Sequence, residues 1–129
     1  MANFDNNFKA SASLADLLTE DESGESVVIS DPALPDNPIV FVTPEFEQQT
    51  GYSPAEALGR NCKFLQGAET DENAVNAIRF AIAAQARIEI DIVNYRKTGE
   101  KFLNRLRIRP IYDGDGNLMF FAGVQNRVL

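Results

Sequence analysis

From residue 87 to the end, apolar and polar side chains alternate with a period of two, in runs over 87–96, 101–110 and 117–126. Lys97-Thr98-Gly99-Glu100 and Asp113-Gly114-Asp115-Gly116-Asn117 divide the runs and are rich in turn formers, which predicts an antiparallel meander of three strands. Upstream, Val27-Val28-Ile29 and Ile39-Val40-Phe41-Val42 are short apolar runs of strand length joined by a loop of Asp and Pro. Between these two groups the pattern is helical. Thr43-Pro44 and Ser53-Pro54 each read as an N-cap followed by proline in the first turn, and Glu56 completes a capping box on Ser53. Thr70 is placed to cap a longer helix carrying Ala74, Val75, Ile78 and Ile82 and ending near Ala84. Ser13 with Asp16 opens a short amphipathic helix that presents Leu14, Leu17 and Leu18. The sum is an α+β domain: a five-stranded antiparallel sheet with short helices on one face and an N-terminal flanking helix.

The alternation puts polar groups on the wrong side. Asn94 continues the face of Ile88, Ile90 and Ile92, Asn104 stands among Phe102, Leu106 and Ile108, and Gln125 shares parity with Met119, Phe121 and Gly123. Each carboxamide therefore points toward the core. A buried amide without a partner costs roughly 1–3 kcal/mol, so each either bonds nearby backbone or helps to bind something. Three converging carboxamides suit a flat heteroaromatic ligand with donors and acceptors along one edge, because an amide supplies both, and a flavin ring system fits that description. Gly123 leaves room for a close approach. The row Arg105, Arg107, Arg109 lies on the opposite face and reads as a solvated strand surface.

A chain of 129 residues builds one core, and 44% hydrophobic with 24% charged residues is the balance of a packed domain. A net charge of −7 disfavours nucleic acid and anionic membrane as partners. One cysteine and no histidine exclude an internal disulfide, multi-cysteine metal sites, and Ser/His or Cys/His catalysis. The turn at Asp113 begins like a calcium loop, but Leu118 occupies the place of the required glycine and Val124 that of the closing glutamate. No apolar run is long enough for a membrane span and no signal peptide opens the chain, so a cytoplasmic protein is expected.

Gly59-Arg60-Asn61-Cys62-Lys63-Phe64-Leu65-Gln66-Gly67 closely resembles the signature of LOV domains, the flavin-binding branch of the PAS fold. Asn94-Tyr95-Arg96-Lys97-Thr98-Gly99, Phe102-Leu103-Asn104-Arg105-Leu106 and Gly123-Val124-Gln125 follow in the family's order, with Asp36-Asn37-Pro38 and Thr50-Gly51-Tyr52 upstream. The resemblance, to a bacterial short LOV photoreceptor, covers roughly 26–126, leaving 1–25 as an N-terminal extension and 127–129 as a tail. It implies a blue-light sensor with no substrate turnover, whose Cys62 adds reversibly to the C4a carbon of a noncovalently bound flavin. It further implies that Asn94 and Asn104 bond the pyrimidine edge and that Gln125, near O4 and N5, changes its hydrogen bonding with light. Asn61 and Gln66 match contacts to the ribityl chain and ring, while Val28, Ser30, Phe46, Leu65, Ile82, Leu106, Ile108 and Phe121 match positions lining the ring. Arg79 matches one of the two arginines that hold the FMN phosphate, and Lys63 replaces the other. Lysine keeps the charge but loses the planar fork, so FMN is expected, with riboflavin as the alternative. A signal would run from Gln125 to Leu14, Leu17 and Leu18 at a homodimer contact. The alternative reading is a PAS-like binding or dimerisation module without photochemistry.

Overall fold

Five strands form in the predicted places: β1 (Ser26–Ser30), β2 (Ile39–Val42), β3 (Ile88–Tyr95), β4 (Lys101–Tyr112) and β5 (Leu118–Arg127). The structure is a computed structural model and describes residues 12–129, with side chains from Leu14 onward. All neighbours are antiparallel and the order is β2-β1-β5-β4-β3, so the first strand closes onto the last and the meander completes the sheet. β1 sits inside the sheet and is buried along its whole length, which explains why its sequence is an unbroken apolar run bounded by serines and not an alternation.

The α-helices lie on one face. α1 (Pro44–Thr50) stops at Gly51, whose φ of 80° is the left-handed conformation that terminates a helix at little cost to glycine. α2 (Pro54–Ala57) carries the expected capping box, with the Ser53 amide donating to Glu56 Oε1 at 2.9 Å and the Glu56 amide to Ser53 Oγ at 3.2 Å. α3 (Glu72–Ala83) is capped by Asp71, which accepts from the Asn73 amide at 2.9 Å; the expected cap, Thr70, is engaged elsewhere. Its hydroxyl accepts from the Gly67 amide and donates to the Val93 carbonyl at 2.7 Å, binding the loop before α3 to β3. Thr43 likewise precedes α1 without capping it by its side chain: its hydroxyl donates to the Glu25 carbonyl and accepts from the Val27 amide, fastening the start of β1. Their inner-face core is Val28, Ile39, Phe46, Ala57 and Leu65.

The N-terminal segment covers the other face. It forms 3-10 turns at Ala12–Leu17 and Glu20–Glu22 in place of the expected amphipathic helix, and the proposed Ser13 cap lies outside the described side chains. Leu14, Leu17 and Leu18 pack there against Ile29, Ile111, Phe120 and Ala122. Met119 joins this outer cluster and not the Gln125 face, because the register shifts between Ile111 and Tyr112. No helix among the described residues is long and apolar enough to cross a membrane.

Of the arginine row, Arg105 forks the exposed Asp91 across β3 and β4, whereas Arg109 reaches under the N-terminal segment. Its Nε and Nη2 donate to Glu22 at 2.7 and 2.8 Å and Nη2 also to the Leu17 carbonyl at 2.8 Å. Burial alone would raise the Glu22 carboxyl, but the Arg109 fork, the Thr19 amide and the nearby positive charges together hold it below its ordinary value. A carboxyl lowered by folding stabilises above its unfolded pKa and loses that contribution as pH falls through the folded one. Glu22→Gln should therefore lower stability at pH 7 by about 3 kcal/mol, the lower end of the cost of breaking a buried pair because Arg109 keeps some exposure. In denaturant titrations the gap between variant and wild type should close as pH drops below 4.5, the ordinary carboxyl value.

Candidate functional site

The inner face of β1, β3, β4 and β5 and the opposing α3 enclose a narrow slot of ≈ 110 Å³. Register brings its walls together: Ser30 stands across from Phe121, Val28 from Gly123, Ile108 from Gly123, and Leu106 from Gln125. Asn94 and Asn104 enter from β3 and β4, and Asn61, Cys62, Lys63, Leu65 and Gln66 enter from a 3-10 helix at Cys62–Leu65. Asn61 caps that helix by accepting from the Lys63 amide at 2.9 Å and donates to the Asp36 carbonyl at 2.7 Å, which fixes where Cys62 begins. Further along, the segment is pinned to β3 by contact without space. A Cβ on Gly67 would lie 2.4 Å from the Tyr95 ring, and the Tyr95 hydroxyl accepts from the Glu69 amide at 3.0 Å.

Fourteen of the residues singled out in the sequence line the slot: Val28, Ser30, Asn61, Cys62, Lys63, Leu65, Gln66, Ile82, Asn94, Asn104, Leu106, Ile108, Phe121 and Gln125. Arg79 lines instead an open trough of ≈ 380 Å³ that continues the slot past Asn61, Lys63 and Gln66. Phe46 lines neither. It is fully buried one layer back, where α1 turns it onto Val28, Ile39 and Leu65, so it supports the wall and does not form it. Gly123, read in the sequence as room for a close approach, lines the slot as well, whereas Asn37, Ile78 and Ile92 were missed as lining residues. Helical and strand periods had placed Ile78 and Ile92 on the correct faces. Asn37 gave no such signal, because it enters through a left-handed turn with φ of 48°.

The polar groups of the slot are only partly spent. Asn104 donates to Asn94 Oδ1 at 2.9 Å and accepts from the Asn126 amide at 3.1 Å; Asn94 donates to its neighbour's carbonyl at 3.2 Å. Gln125 Oε1 and Asn37 Oδ1 are buried with no partner among the described residues. Unspent amide capacity beside aliphatic walls is what a flat ring with a polar edge requires, so the residues fit such a guest. Arg79 and Lys63 at the trough supply positive charge for an anionic tail, although Lys63 Nζ also lies 3.6 Å from Asp36 Oδ1. The broader concavity of ≈ 420 Å³ on the outer face, between Glu22, Arg87 and Arg107, holds none of these groups.

Cys62 faces the slot, and burial pushes its thiol up to about 12. With no histidine in the chain and no cation paired to it among the described residues, the sulfur stays protonated at neutral pH. It is not a standing nucleophile. Its chemistry has to be switched on by whatever occupies the slot.

The profile of the PAS domain family matches residues 24–126. A blue-light-activated histidine kinase of Brucella canis is 52% identical over 99 residues, which is 77% of this chain and 20% of that protein. Phototropin-2 of Oryza sativa subsp. japonica is 48% identical over 111 residues, or 85% of this chain and 12% of that one. The chain thus spans about a fifth or less of the curated relatives it matches. Among solved structures, the LOV domain of a blue-light activated histidine kinase from Erythrobacter litoralis superimposes with a TM-score of 0.78 at 41% identity, covering 81% of this chain and 96% of that one.

The raised thiol has a direct test. Alkylation of Cys62 in the dark should accelerate with pH without levelling off near 9.0, the ordinary thiol value. An acid whose folded pKa exceeds its unfolded one keeps its full contribution below the unfolded value and loses it as pH rises through the folded value. Wild type should therefore lose stability relative to Cys62→Ala between pH 9.0 and about 12. A rate plateau near 9.0 would contradict the raised thiol.

Proposed function

Since the chain belongs to the PAS family and, within it, to the LOV domains, we propose that it is a blue-light sensor that binds a flavin noncovalently, FMN in preference to riboflavin. The observation that carries this reading is the placement of a neutral thiol, Cys62, in one slot with Asn94, Asn104 and Gln125. When bound, the flavin supplies the light-absorbing ring and, once excited, an electrophilic carbon. Beside a bound flavin, Cys62 would be the residue that supplies the sulfur to C4a and the proton to N5 under light and takes both back in the dark. Because the chain has no histidine and no other base accompanies Cys62 among the described residues, the protein is inert without light.

The other residues bind and orient. Asn94 and Asn104, each locked by a hydrogen bond from or to its neighbour, hold the pyrimidine edge. Val28, Leu65, Leu106, Ile108 and Phe121 from one side and Ile78 and Ile82 of α3 from another keep water from the ring. Lys63 and Arg79 meet the phosphate at the trough. The segment 26–126 is the sensory core and has no substrate turnover. Gln125 stands on β5 between β1 and β4, so a change in its hydrogen bonding reaches the outer face and a homodimer contact formed by Leu14, Leu17 and Leu18. We place this signalling in the cytoplasm.

The deciding experiment is the absorption spectrum of purified protein before and after a blue flash. Wild type should lose its flavin band near ~450 nm reversibly through a thiol nucleophile, and Cys62→Ala should keep the band throughout. Colourless protein that cannot be reconstituted with flavin would move the chain to the reading of a PAS-like interaction module. Exchanging Lys63 for arginine should tighten FMN several-fold and leave riboflavin unchanged, since only the phosphate gains from a bidentate fork.

A further inference from the structure

Behind the slot wall, around Gln125, three oxygens are buried without a hydrogen-bond partner among the described residues: Ser26 Oγ, Gln49 Oε1 and Gln125 Oε1. They come together around residue 125. The pairing of β1 with β5 puts Ser26 directly across from Gln125, so the two side chains share the inner face. From α1, Gln49 lays its amide over the same point, and its Nε2 donates to the Gln125 main-chain carbonyl at 3.4 Å. Ser26 is 4% and Gln125 2% exposed, so water does not make good the deficit from bulk. The group is rich in acceptors and short of donors, since only the Ser26 hydroxyl carries a hydrogen. The missing donor is at hand in the Gln125 carboxamide, whose nitrogen carries two.

We propose that Ser26 and Gln49 are positioning residues for Gln125: they form a berth of two acceptors that receives its NH2 group and leaves its carbonyl oxygen turned into the slot. The inference rests on the flavin reading above and deepens it. With a proton on N5, the slot presents a donor, and the Gln125 orientation that accepts from it is the one in which Ser26 and Gln49 take the two amide hydrogens. Without that proton the ring presents acceptors and Gln125 turns its nitrogen inward; its oxygen can then take at most the Ser26 hydroxyl hydrogen, and Gln49 Oε1 is left without a donor, as it is in this structure. The berth therefore favours the lit arrangement and lengthens its life. It acts through Gln125 and touches no reacting atom. A single rotation of one amide exchanges hydrogen bonds on both sides, and Gln49 extends the consequence to α1.

The test uses the flavin-loaded chain with Ser26→Ala, Gln49→Leu and Gln49→Glu. Dark recovery after a flash should be several-fold faster in Ser26→Ala and Gln49→Leu, while Gln49→Glu, which keeps an acceptor oxygen, should retain the slow recovery. Nitrogen-edited NMR gives a second readout that bulk packing does not mimic. The Gln125 side-chain amide, assigned by its loss in Gln125→Leu, should gain protection from exchange on illumination in wild type and Gln49→Glu and lose that gain in the other two. Wild-type recovery and protection in all variants would overturn the berth and leave the sensor reading intact. A wild type that does not bleach would overturn both. Should Ser26→Ala fail to fold, the contrast between Gln49→Leu and Gln49→Glu decides the question alone.

Discussion

A carboxamide on the buried face of a sheet has to find partners for up to four hydrogen bonds, and this fold is arranged around that demand at Asn94, Asn104 and Gln125. The first two answer it mutually. Their shared bond, closed by the Asn126 amide, fixes both side chains against β3 and β4 and leaves one edge to face the slot. Gln125 answers it only in part, and the unpaired oxygen lies where β1, β5 and α1 meet. Under the proposed function, a rigid pair beside an unsettled third residue separates two tasks on one face, holding a guest and responding to it.

The sheet gives that response a route. Gln125 faces inward, but its neighbours Val124 and Ala122 face the outer side, and Ala122 packs with Phe120, Ile111 and Leu14 beneath the N-terminal segment. That segment is retained by leucine burial and by the Arg109 fork on Glu22 and the Leu17 carbonyl. Inner chemistry and outer packing are thus separated by one strand's thickness. Sites so close need no long path of intermediates to be coupled. The half-buried, neutral thiol of Cys62 matters in the same way, because under the proposed function a sensor that reacted in darkness would have nothing to report.

Most of the sheet was legible in the sequence, because a period of two leaves little freedom once one face is apolar. The inward parity of Asn94, Asn104 and Gln125 followed from the same rule, and the capping box at Ser53 and Glu56 from purely local chemistry. What escaped was non-local. Thr70 looked like a cap, yet a hydroxyl also bonds a strand carbonyl, and Val93 lay within reach only after folding. Phe46 matched a lining position, but the turn of α1 set it one layer behind the wall. Asn37 needed a left-handed backbone that a loop of Asp and Pro does not announce. Likewise a register shift moved Met119 across the sheet, and the union of Glu22 with Arg109 joins segments far apart in the chain.

The central claim is that the inner slot is built to hold a flavin by its polar edge with Cys62 beside the ring. A crystal structure of the flavin-loaded chain, grown and measured in darkness, tests it most directly. The account predicts the pyrimidine edge against Asn94 and Asn104, Gln125 at the N5 side, the ribityl chain leaving past Asn61 and Gln66, and the unbonded Cys62 sulfur facing C4a. A ring seated in the outer-face concavity, or one entering the slot with its pyrimidine edge toward the trough, would contradict it.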